Sequence, residues 1–260
     1  RYKKHYDFLF NNVNSSLGST FEFENLIALL QDNSIADIWI PPLLSFRDSF
    51  GDNEIFNFLQ KLDNKFSADL IAGESPTTRI ESMNNIIKEI EKVKKDESIS
   101  EVSKVSILLN SKVFDFNKIA FMNEIENGQI YKRKFARYIL LKLDYLNSGN
   151  TQKWNTPSKI SIEHVLPQNP SQISQWKKDF TDEQHAHWLN RLGNLVLISR
   201  TKNISLSNLD FVDKKRKYFD SNMDVFPNSL KVIQNNVWDL NTLESNHNRF
   251  VQLIKNHYQI

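Results

Sequence analysis

The scarcity of glycine is the feature that most constrains how this chain can fold. The 260 residues include 6 glycines and 7 prolines. All-β sandwiches and propellers need a tight turn every few residues, and those turns depend on glycine and proline. The hydrophobic fraction of 40% and the charged fraction of 25% are ordinary for a globular protein. We therefore predict a folded, mainly α protein.

The chain contains no cysteine. Its absence excludes disulfides, thiolate zinc fingers, iron–sulfur clusters and a cysteine nucleophile. No apolar run approaches the roughly 20 residues of a membrane span, and no apolar signal core follows Arg1. We expect a cytoplasmic protein without membrane contact. Since the sequence opens at arginine, we also expect it to be part of a longer protein.

Residues 1–150 have the pattern of a run of helices, with a stop at 37–42. Ser75 followed by Pro76 predicts a helix start. The predicted apolar face of that helix comprises Ile80, Met83, Ile87 and Ile90. Asp115 is the predicted cap of a later helix. The predicted inward residues of that later helix are Phe116, Ile119 and Ile125.

Aromatic residues recur at helical spacing from Tyr131 to Tyr145, flanked by basic residues. The basic residues are Lys132, Arg133, Lys134 and Arg137. The favoured interpretation is that the aromatic residues pack in the core and the charges form a solvated face. The alternative is that the basic residues contact phosphate.

The pattern changes after a polar linker at 148–151. Strands are predicted at 160–166, ended by Pro167, and at 195–198. Helices are predicted at 181–191, stopped by Gly193, and also at 208–219 and 240–258. We expect two domains, a helical one at 1–150 and a second at 151–260 that carries a small ββα unit embedded in helices.

His164 lies near the end of the first predicted strand, and this position favours hydrolytic chemistry. A neutral imidazole can take a proton from water near pH 7. The adjacent carboxylate of Glu163 and an amide oxygen from the region after the second strand are hard ligands, which suit Mg²⁺ or Mn²⁺. One such ion can polarise a phosphodiester. The pattern therefore predicts phosphoryl transfer.

Four short motifs follow one another in residues 160–220. They are Ile162-Glu163-His164 with Pro167-Gln168, then Gly193-Asn194-Leu195, then Asn203, and then Asn208, Phe211, Lys214 and Tyr218. This block resembles the HNH (ββα-metal) nuclease domain at the C-terminus of GmrSD-type modification-dependent restriction enzymes and SspE-like anti-phage nucleases. Trp238 and Asn248-Arg249 resemble the closing helix of that family. The block is also similar to the HNH domain of CRISPR effector nucleases.

The resemblance implies a role for each matching residue. His164 would be the general base. Asn194 would brace the hairpin and fix the tautomer of the imidazole. Asn203 and Glu163 would bind Mg²⁺ or Mn²⁺, and Lys214 would stabilise charge on the phosphate. Because neighbouring strand residues point to opposite faces, Glu163 and His164 can share a site only where the strand end twists.

The resemblance also implies an activity and partners. The activity would be metal-dependent hydrolysis or nicking of DNA in bacterial anti-phage defence, leaving 5′-phosphate and 3′-hydroxyl ends. The partners would be phage or modified DNA and an N-terminal sensor domain of the full-length protein. The sequence contains no P-loop of its own.

Positive charge concentrates near the predicted site. The net charge of the chain is +2, whereas residues 191–217 carry seven basic and two acidic side chains. Such local charge favours contact with the DNA backbone. The predicted DNA-binding residues are Arg191, Arg200, Lys202, Lys215 and Arg216. The residues expected only to pack, face solvent or hold loops are His185, His187, Gln168 and Asn208.

Two other functions stay open at this point. One is a non-catalytic DNA-binding or regulatory module that retains the HNH fold. The other is an interaction scaffold, in which residues 1–150 bind a partner protein. RNA is a weaker candidate substrate, because no residue pattern here reads a 2′-hydroxyl.

Overall fold

The computed structural model describes residues 2–11, 21–33, 35–154, 160–219 and 226–260. Arg1, which opens the sequence, lies outside the described residues. The described residues are mainly helical, which confirms the predicted class. They divide into two compact units. One comprises the described residues of Arg1–Met122 and Asn150–Lys153, and the other those of Asn123–Gly149 and Trp154–Ile260. Residues 123–149 thus group with the C-terminal residues.

The described residues of the first half of the chain form seven α-helices. They are α1 (Tyr2–Tyr6), α2 (Glu22–Asn33), α3 (Ile40–Phe50), α4 (Ile55–Ile71), α5 (Pro76–Lys95), α6 (Glu101–Leu109) and α7 (Lys118–Asn127). A π-helical turn lies at Asp7–Asn11, and 3-10 turns lie at Asp37–Trp39 and Lys112–Phe114. Phe46 and Phe58 are fully buried and stack with their ring centroids 4.1 Å apart. This contact joins α3 to α4 in the core of the first unit.

Helix α5 begins where the sequence predicts. The Ser75 hydroxyl accepts a hydrogen bond from the Thr78 N–H at 3.1 Å, and Pro76 opens the helix. The buried face consists of Met83, Ile86, Ile90 and Val93. The predicted face is wrong at Ile80, which is 48% exposed, and Ile86 replaces Ile87 in it. Ten residues separate Ile80 from Ile90, which rotates Ile80 away by about 80°.

Helix α7 begins later than predicted. The carboxamide oxygen of Asn117 accepts the Ala120 N–H at 3.0 Å, so Asn117 is the capping residue. The prediction of Asp115 as the cap is wrong, because Asp115 ends a 3-10 turn and α7 begins only at Lys118. The shift leaves Ile119 85% exposed, whereas Ile125 is buried as predicted.

The second unit surrounds a two-stranded sheet with helices. Its elements are α8 (Ala136–Asn147), β1 (Ile160–His164), α9 (Trp176–Asp179), α10 (Asp182–Trp188), β2 (Leu195–Ser199), α11 (Arg200–Leu206), α12 (Phe211–Phe219), α13 (Pro227–Ile233) and α14 (Leu240–Tyr258). Two 3-10 turns lie at Ile130–Lys132 and Leu192–Asn194. A buried apolar cluster that includes Trp176, Trp188, Phe211 and Trp238 forms the core.

The two strands pair antiparallel, with Ile160 opposite Ser199 and His164 opposite Leu195. Both lie where the sequence predicts strands. Helix α11, which follows β2 directly, is not among the predicted helices. Ser199 caps it by accepting the Lys202 N–H at 3.4 Å. The order of elements around the sheet is therefore strand, long connection, strand, short helix.

Candidate active site

The pairing of β1 with β2 determines where Glu163 and His164 point. Side chains alternate between the two faces of a strand, so these neighbours face opposite ways. One face of β1 borders a polar cleft, and the other borders the apolar core near Phe211 and Tyr218.

The polar cleft has a volume of about 400 Å³ and is open to solvent. The polar residues that line it are Tyr131, Glu163, His164, Gln168, Asn169, Asn203, Ser207 and Asn208. The structure thus places the predicted base, His164, and the predicted metal ligand, Asn203, on the same cleft. Gln168 and Asn208, which the sequence analysis assigned to holding loops, also line it.

Three neighbours fix the imidazole of His164. Its Nε2 lies 3.3 Å from the carboxamide oxygen of Asn190, and its Nδ1 lies 3.5 Å from the Gln168 amide nitrogen. The Tyr131 ring packs against it at an angle of 62°, with centroids 4.2 Å apart. A carboxamide oxygen only accepts hydrogen bonds, so Nε2 donates and carries the proton of the neutral ring. The unprotonated nitrogen is then Nδ1, on the side of Gln168.

Burial favours the neutral form of this imidazole. It lowers the pKa of His164 to about 4, and the positive charges of Lys214 and His185 act in the same direction. The hydrogen bond to Asn190 opposes this effect. At neutral pH His164 is therefore uncharged and can accept a proton. The negative charge of a bound phosphodiester would strengthen it as a base.

Asn194 connects the two strands behind the imidazole. Its side-chain oxygen accepts the Leu166 N–H at 2.7 Å, and its side-chain nitrogen donates to the carbonyls of Leu166 and Leu189 at 3.0 and 2.9 Å. Its own carbonyl accepts the Val165 N–H at 3.0 Å. These bonds tie the peptides after His164 to the turn before β2. The hydrogen bond that sets the tautomer of the imidazole comes from Asn190. Asn194, for which this role was predicted, bonds to the hairpin backbone instead.

The turn that carries Asn194 is held by α14. The Asn246 amide donates to the Gly193 carbonyl at 2.8 Å, and the Gly193 N–H donates to His247 Nδ1 at 3.2 Å. A side chain at Gly193 would place its Cβ 2.5 Å from the His247 Cβ. Glycine is required here because the helix approaches the turn too closely for any Cβ.

Glu163 lies on the opposite face and pairs with Lys214 of α12. The ammonium donates to the Glu163 carboxylate at 2.6 Å and to the carbonyls of His164 and Val165 at 2.9 and 3.1 Å. Both side chains are more than nine-tenths buried. Burial raises the pKa of Glu163, which Lys214 opposes, and it lowers the pKa of Lys214. Glu163 also lines the cleft, but in this structure its carboxylate is engaged by Lys214.

Asn203 lies on α11 at the edge of the cleft. Its amide nitrogen donates to the Ser161 hydroxyl at 2.5 Å and to the Ile162 carbonyl at 3.1 Å. In the described part of the chain no donor contacts its side-chain oxygen. The two bonds to β1 orient the amide and leave that oxygen as its ligand atom.

The oxygen ligands around the cleft are of the type that a hard cation prefers. They are fewer than such a cation needs. Mg²⁺ usually takes one or two carboxylates, together with waters and substrate phosphates. The described residues contain no group of three His, Asp or Glu side chains that could hold a metal ion. The nearest carboxylate, Glu163, is paired with Lys214. These residues therefore fit an ion held jointly by Asn203 and a bound phosphate.

The predicted DNA-binding residues differ in burial and in the number of protein partners that their side chains have. Lys202 is buried and donates to the Tyr218 carbonyl at 2.5 Å. Lys215 donates to the Asn235 carbonyl at 3.0 Å, and Arg216 pairs with Asp213 at 2.6 Å. Arg191 lies 3.4 Å from the Glu126 carbonyl, and Arg200 is exposed. Contact with DNA through Lys202 is thus excluded by its burial in this structure.

Two histidines stand apart from the cleft chemistry. His185 lies with its Nε2 2.8 Å from the Pro167 carbonyl, behind the segment that follows β1. His187 is exposed and packs edge-on against Trp188. Asn190 and Tyr131, which contact His164, were not predicted from the sequence. No local spacing could have found them, because they lie 26 and 33 residues from it along the chain.

Comparison with known proteins gives one match. A sequence model of the C-terminal domain of GmrSD restriction endonucleases matches residues 117–253, which is more than half of the chain. No curated protein and no solved structure matches. The matched range contains both strands and every residue that lines the cleft. Among the described helices, none is long and apolar enough to cross a membrane.

Proposed function

The chain belongs to the family of GmrSD restriction endonuclease C-terminal domains, and on this premise we propose that it is the DNA-cleaving part of a bacterial anti-phage defence protein. It would act in the cytoplasm as an endonuclease or nickase of the HNH class. The observation that carries the proposal is the position of the neutral His164 imidazole and the oriented Asn203 amide on one solvent-open cleft. The order β1, β2, α11 supports an HNH-type ββα unit.

The proposed reaction is hydrolysis of a phosphodiester. Nδ1 of His164 removes a proton from water as the water attacks the phosphorus, and the bond to the 3′-oxygen breaks. The 3′-oxygen leaves with the electron pair of that bond and takes up a proton from solvent, and His164 returns its proton to solvent. The products are a 5′-phosphate and a 3′-hydroxyl. Asn190 keeps the proton on Nε2, and Asn194 keeps β1 joined to the turn before β2. Both residues therefore position the imidazole.

The proposed cofactor is Mg²⁺ or Mn²⁺. Asn203 would supply its protein ligand, and the ion would add positive charge beside the phosphate and the leaving oxygen. Glu163 could join it only by leaving Lys214. We therefore expect tight binding of the ion only together with DNA.

The test is cleavage of supercoiled plasmid by the full chain, with Mg²⁺, Mn²⁺ or EDTA. We expect nicked or linear product with either ion, ends that DNA ligase can rejoin, and no product in EDTA. His164→Ala should lower the rate at least about 100-fold, as loss of a general base does. His187→Ala, an exposed histidine away from the cleft, is the matched control. Equal cutting by His164→Ala would refute the proposal.

A second candidate function is a DNA-binding module that retains the fold without catalysis. The pairing of Glu163 with Lys214 favours it, because the cleft then lacks a free carboxylate for a metal ion. This function predicts salt-sensitive binding of plasmid DNA and no product with either ion at any enzyme concentration.

A further inference from the structure

A short segment outside the predicted DNA-binding set contributes Tyr131 to the lining of the cleft. Tyr131 lies in the 3-10 turn Ile130–Lys132 and lines the cleft beside His164. Its ring is 39% exposed, although it packs against the imidazole. An exposed aromatic ring next to a candidate catalytic histidine is available to pack against substrate.

The backbone of this segment is held firmly. Ile130 and Phe135 are buried, and the Tyr131 N–H donates to the Asn190 carbonyl at 3.1 Å. The Arg133 guanidinium pairs with Glu124 through two hydrogen bonds of 2.6 and 3.0 Å. The exposed side chains between these anchors therefore project from a fixed backbone.

Among the described residues, three cations in and just after the segment have no charge partner. Lys132, Lys134 and Arg137 are exposed, and in the described part of the chain none of them forms an ion pair or a side-chain hydrogen bond. Arg137 is exposed at the start of α8, between the buried Ala136 and Tyr138. Unpaired cations bind phosphate without first giving up a protein partner.

The predicted DNA-binding cations are mostly engaged with the protein. Lys202, Lys215 and Arg216 donate to Tyr218, Asn235 and Asp213. Lys217 donates to the Ser205 carbonyl at 3.3 Å. In the described part of the chain, Lys132, Lys134 and Arg137, which closely follow Tyr131 in sequence, and Arg200 are exposed cations without an ion pair or a side-chain hydrogen bond.

We propose that Tyr131, Lys132, Lys134 and Arg137 form a strip that binds the backbone of duplex DNA and leads one strand into the cleft. This proposal rests on the proposed nuclease function and adds the residues that would contact its substrate. The three cations contact successive phosphates, and the Tyr131 ring packs on the nucleotide beside the cleaved bond. Contacts of this kind position DNA without reading its sequence.

The test measures binding of a labelled DNA duplex of about 30 base pairs to the full chain. All proteins carry His164→Ala, so that the duplex stays intact. The strip variant is Lys132→Ala/Lys134→Ala/Arg137→Ala. Its control is Lys92→Ala/Lys94→Ala/Lys95→Ala, which removes the same charge from exposed positions on α5. The dissociation constant is followed by anisotropy as salt rises from about 50 to 200 mM.

We expect the strip variant to bind about 10 to 100 times more weakly at low salt. Its slope of log affinity against log salt should be smaller by about 2 to 3, because each lost phosphate contact contributes about 0.9. The control should bind within about twofold of the parent. Equal losses in both triple variants, or none in the strip variant, would overturn the strip. Failure of every protein to bind duplex DNA would overturn it as well.

Tyr131 is tested by two substitutions in the same background. Tyr131→Leu should weaken binding about 5- to 10-fold, whereas Tyr131→Phe, which keeps the ring, should bind like the parent. Equal binding by both would remove Tyr131 from the strip. Plasmid cleavage by the protein with intact His164 keeps the two proposals separate. If plasmid is cleaved but the strip variant binds DNA as tightly as the parent, only the strip proposal is refuted. If no protein cleaves plasmid, the nuclease proposal is refuted.

Discussion

The two faces of β1 differ in what they do for the protein. On one face, His164 meets Asn190, Gln168 and a solvent-open cleft. On the other face, its neighbour Glu163 forms a buried ion pair with Lys214. Both residues line the cleft, but the Glu163 carboxylate is taken up by the buried ion pair, whereas among the described residues the His164 imidazole has only neutral hydrogen-bond partners. Sequence adjacency in a strand indicates proximity along the backbone and says little about a shared site.

The largest predicted effect tests the buried face. Lys214→Met should lower the free energy of unfolding by about 3 to 5 kcal/mol, because it leaves the Glu163 carboxylate buried without its partner and removes the donor from two carbonyls. Urea unfolding followed by circular dichroism measures it. Lys217→Met, an exposed position on the same helix, should change stability by less than about 0.5 kcal/mol.

A companion variant separates the two possible roles of Glu163. As a partner of Lys214 only, Glu163→Gln should destabilise the fold and leave the metal concentration needed for cleavage unchanged. An unchanged unfolding free energy together with a large rise in the required Mg²⁺ would mean that Glu163 acts in the cleft. The comparison between the two faces would then fail.

An intermediate effect on stability is predicted for Gly193, in the turn before β2 that packs against α14. Gly193→Ala should destabilise the protein by about 1 to 3 kcal/mol, because its Cβ would collide with His247. Thermal unfolding measures it. Gly149→Ala has open space around it but a φ of +65°, so its cost comes from backbone strain alone and should be smaller, about 1 kcal/mol. A neutral Gly193→Ala would show that the helix can move away.

The smallest predicted effect concerns the cleft face. In Asn190→Asp a carboxylate faces Nε2, favours the protonated imidazole and raises the pKa of His164. Cleavage needs the neutral ring, so the acid limb of the pH–rate profile should move to higher pH by about one unit, equivalent to about 1.4 kcal/mol. Rates measured from about pH 4 to 8 test this. A profile that moves to lower pH would contradict the assigned hydrogen bond.

The sequence predicted the local elements well and the long-range contacts only in part. The strands around His164 and Leu195, and the start of α5 at Ser75, follow from local patterns and lie where expected. Patterns also drew attention to Asn203, which the structure places on the cleft with His164. The role of each of these residues in catalysis stays a prediction.

The rest depended on distances that local patterns do not encode. The partners of His164 come from residues 131 and 190, and the partner of Glu163 lies 51 residues further along the chain. Lys202 looked like a DNA contact because positive residues cluster around it, yet its side chain is buried against Tyr218. Burial and pairing of a charge are decided by the packing of whole elements, which the spacing of residues does not reveal.

The hold of α14 on Gly193 has a consequence for how the protein is made. Asn246 and His247 follow that glycine by 53 and 54 residues. A growing polypeptide therefore emerges from the ribosome with its histidine well before the helix that secures the hairpin. Helix α14 is translated after the hairpin that it supports, so a chain interrupted between the two would lack the side chains that hold the turn at Gly193.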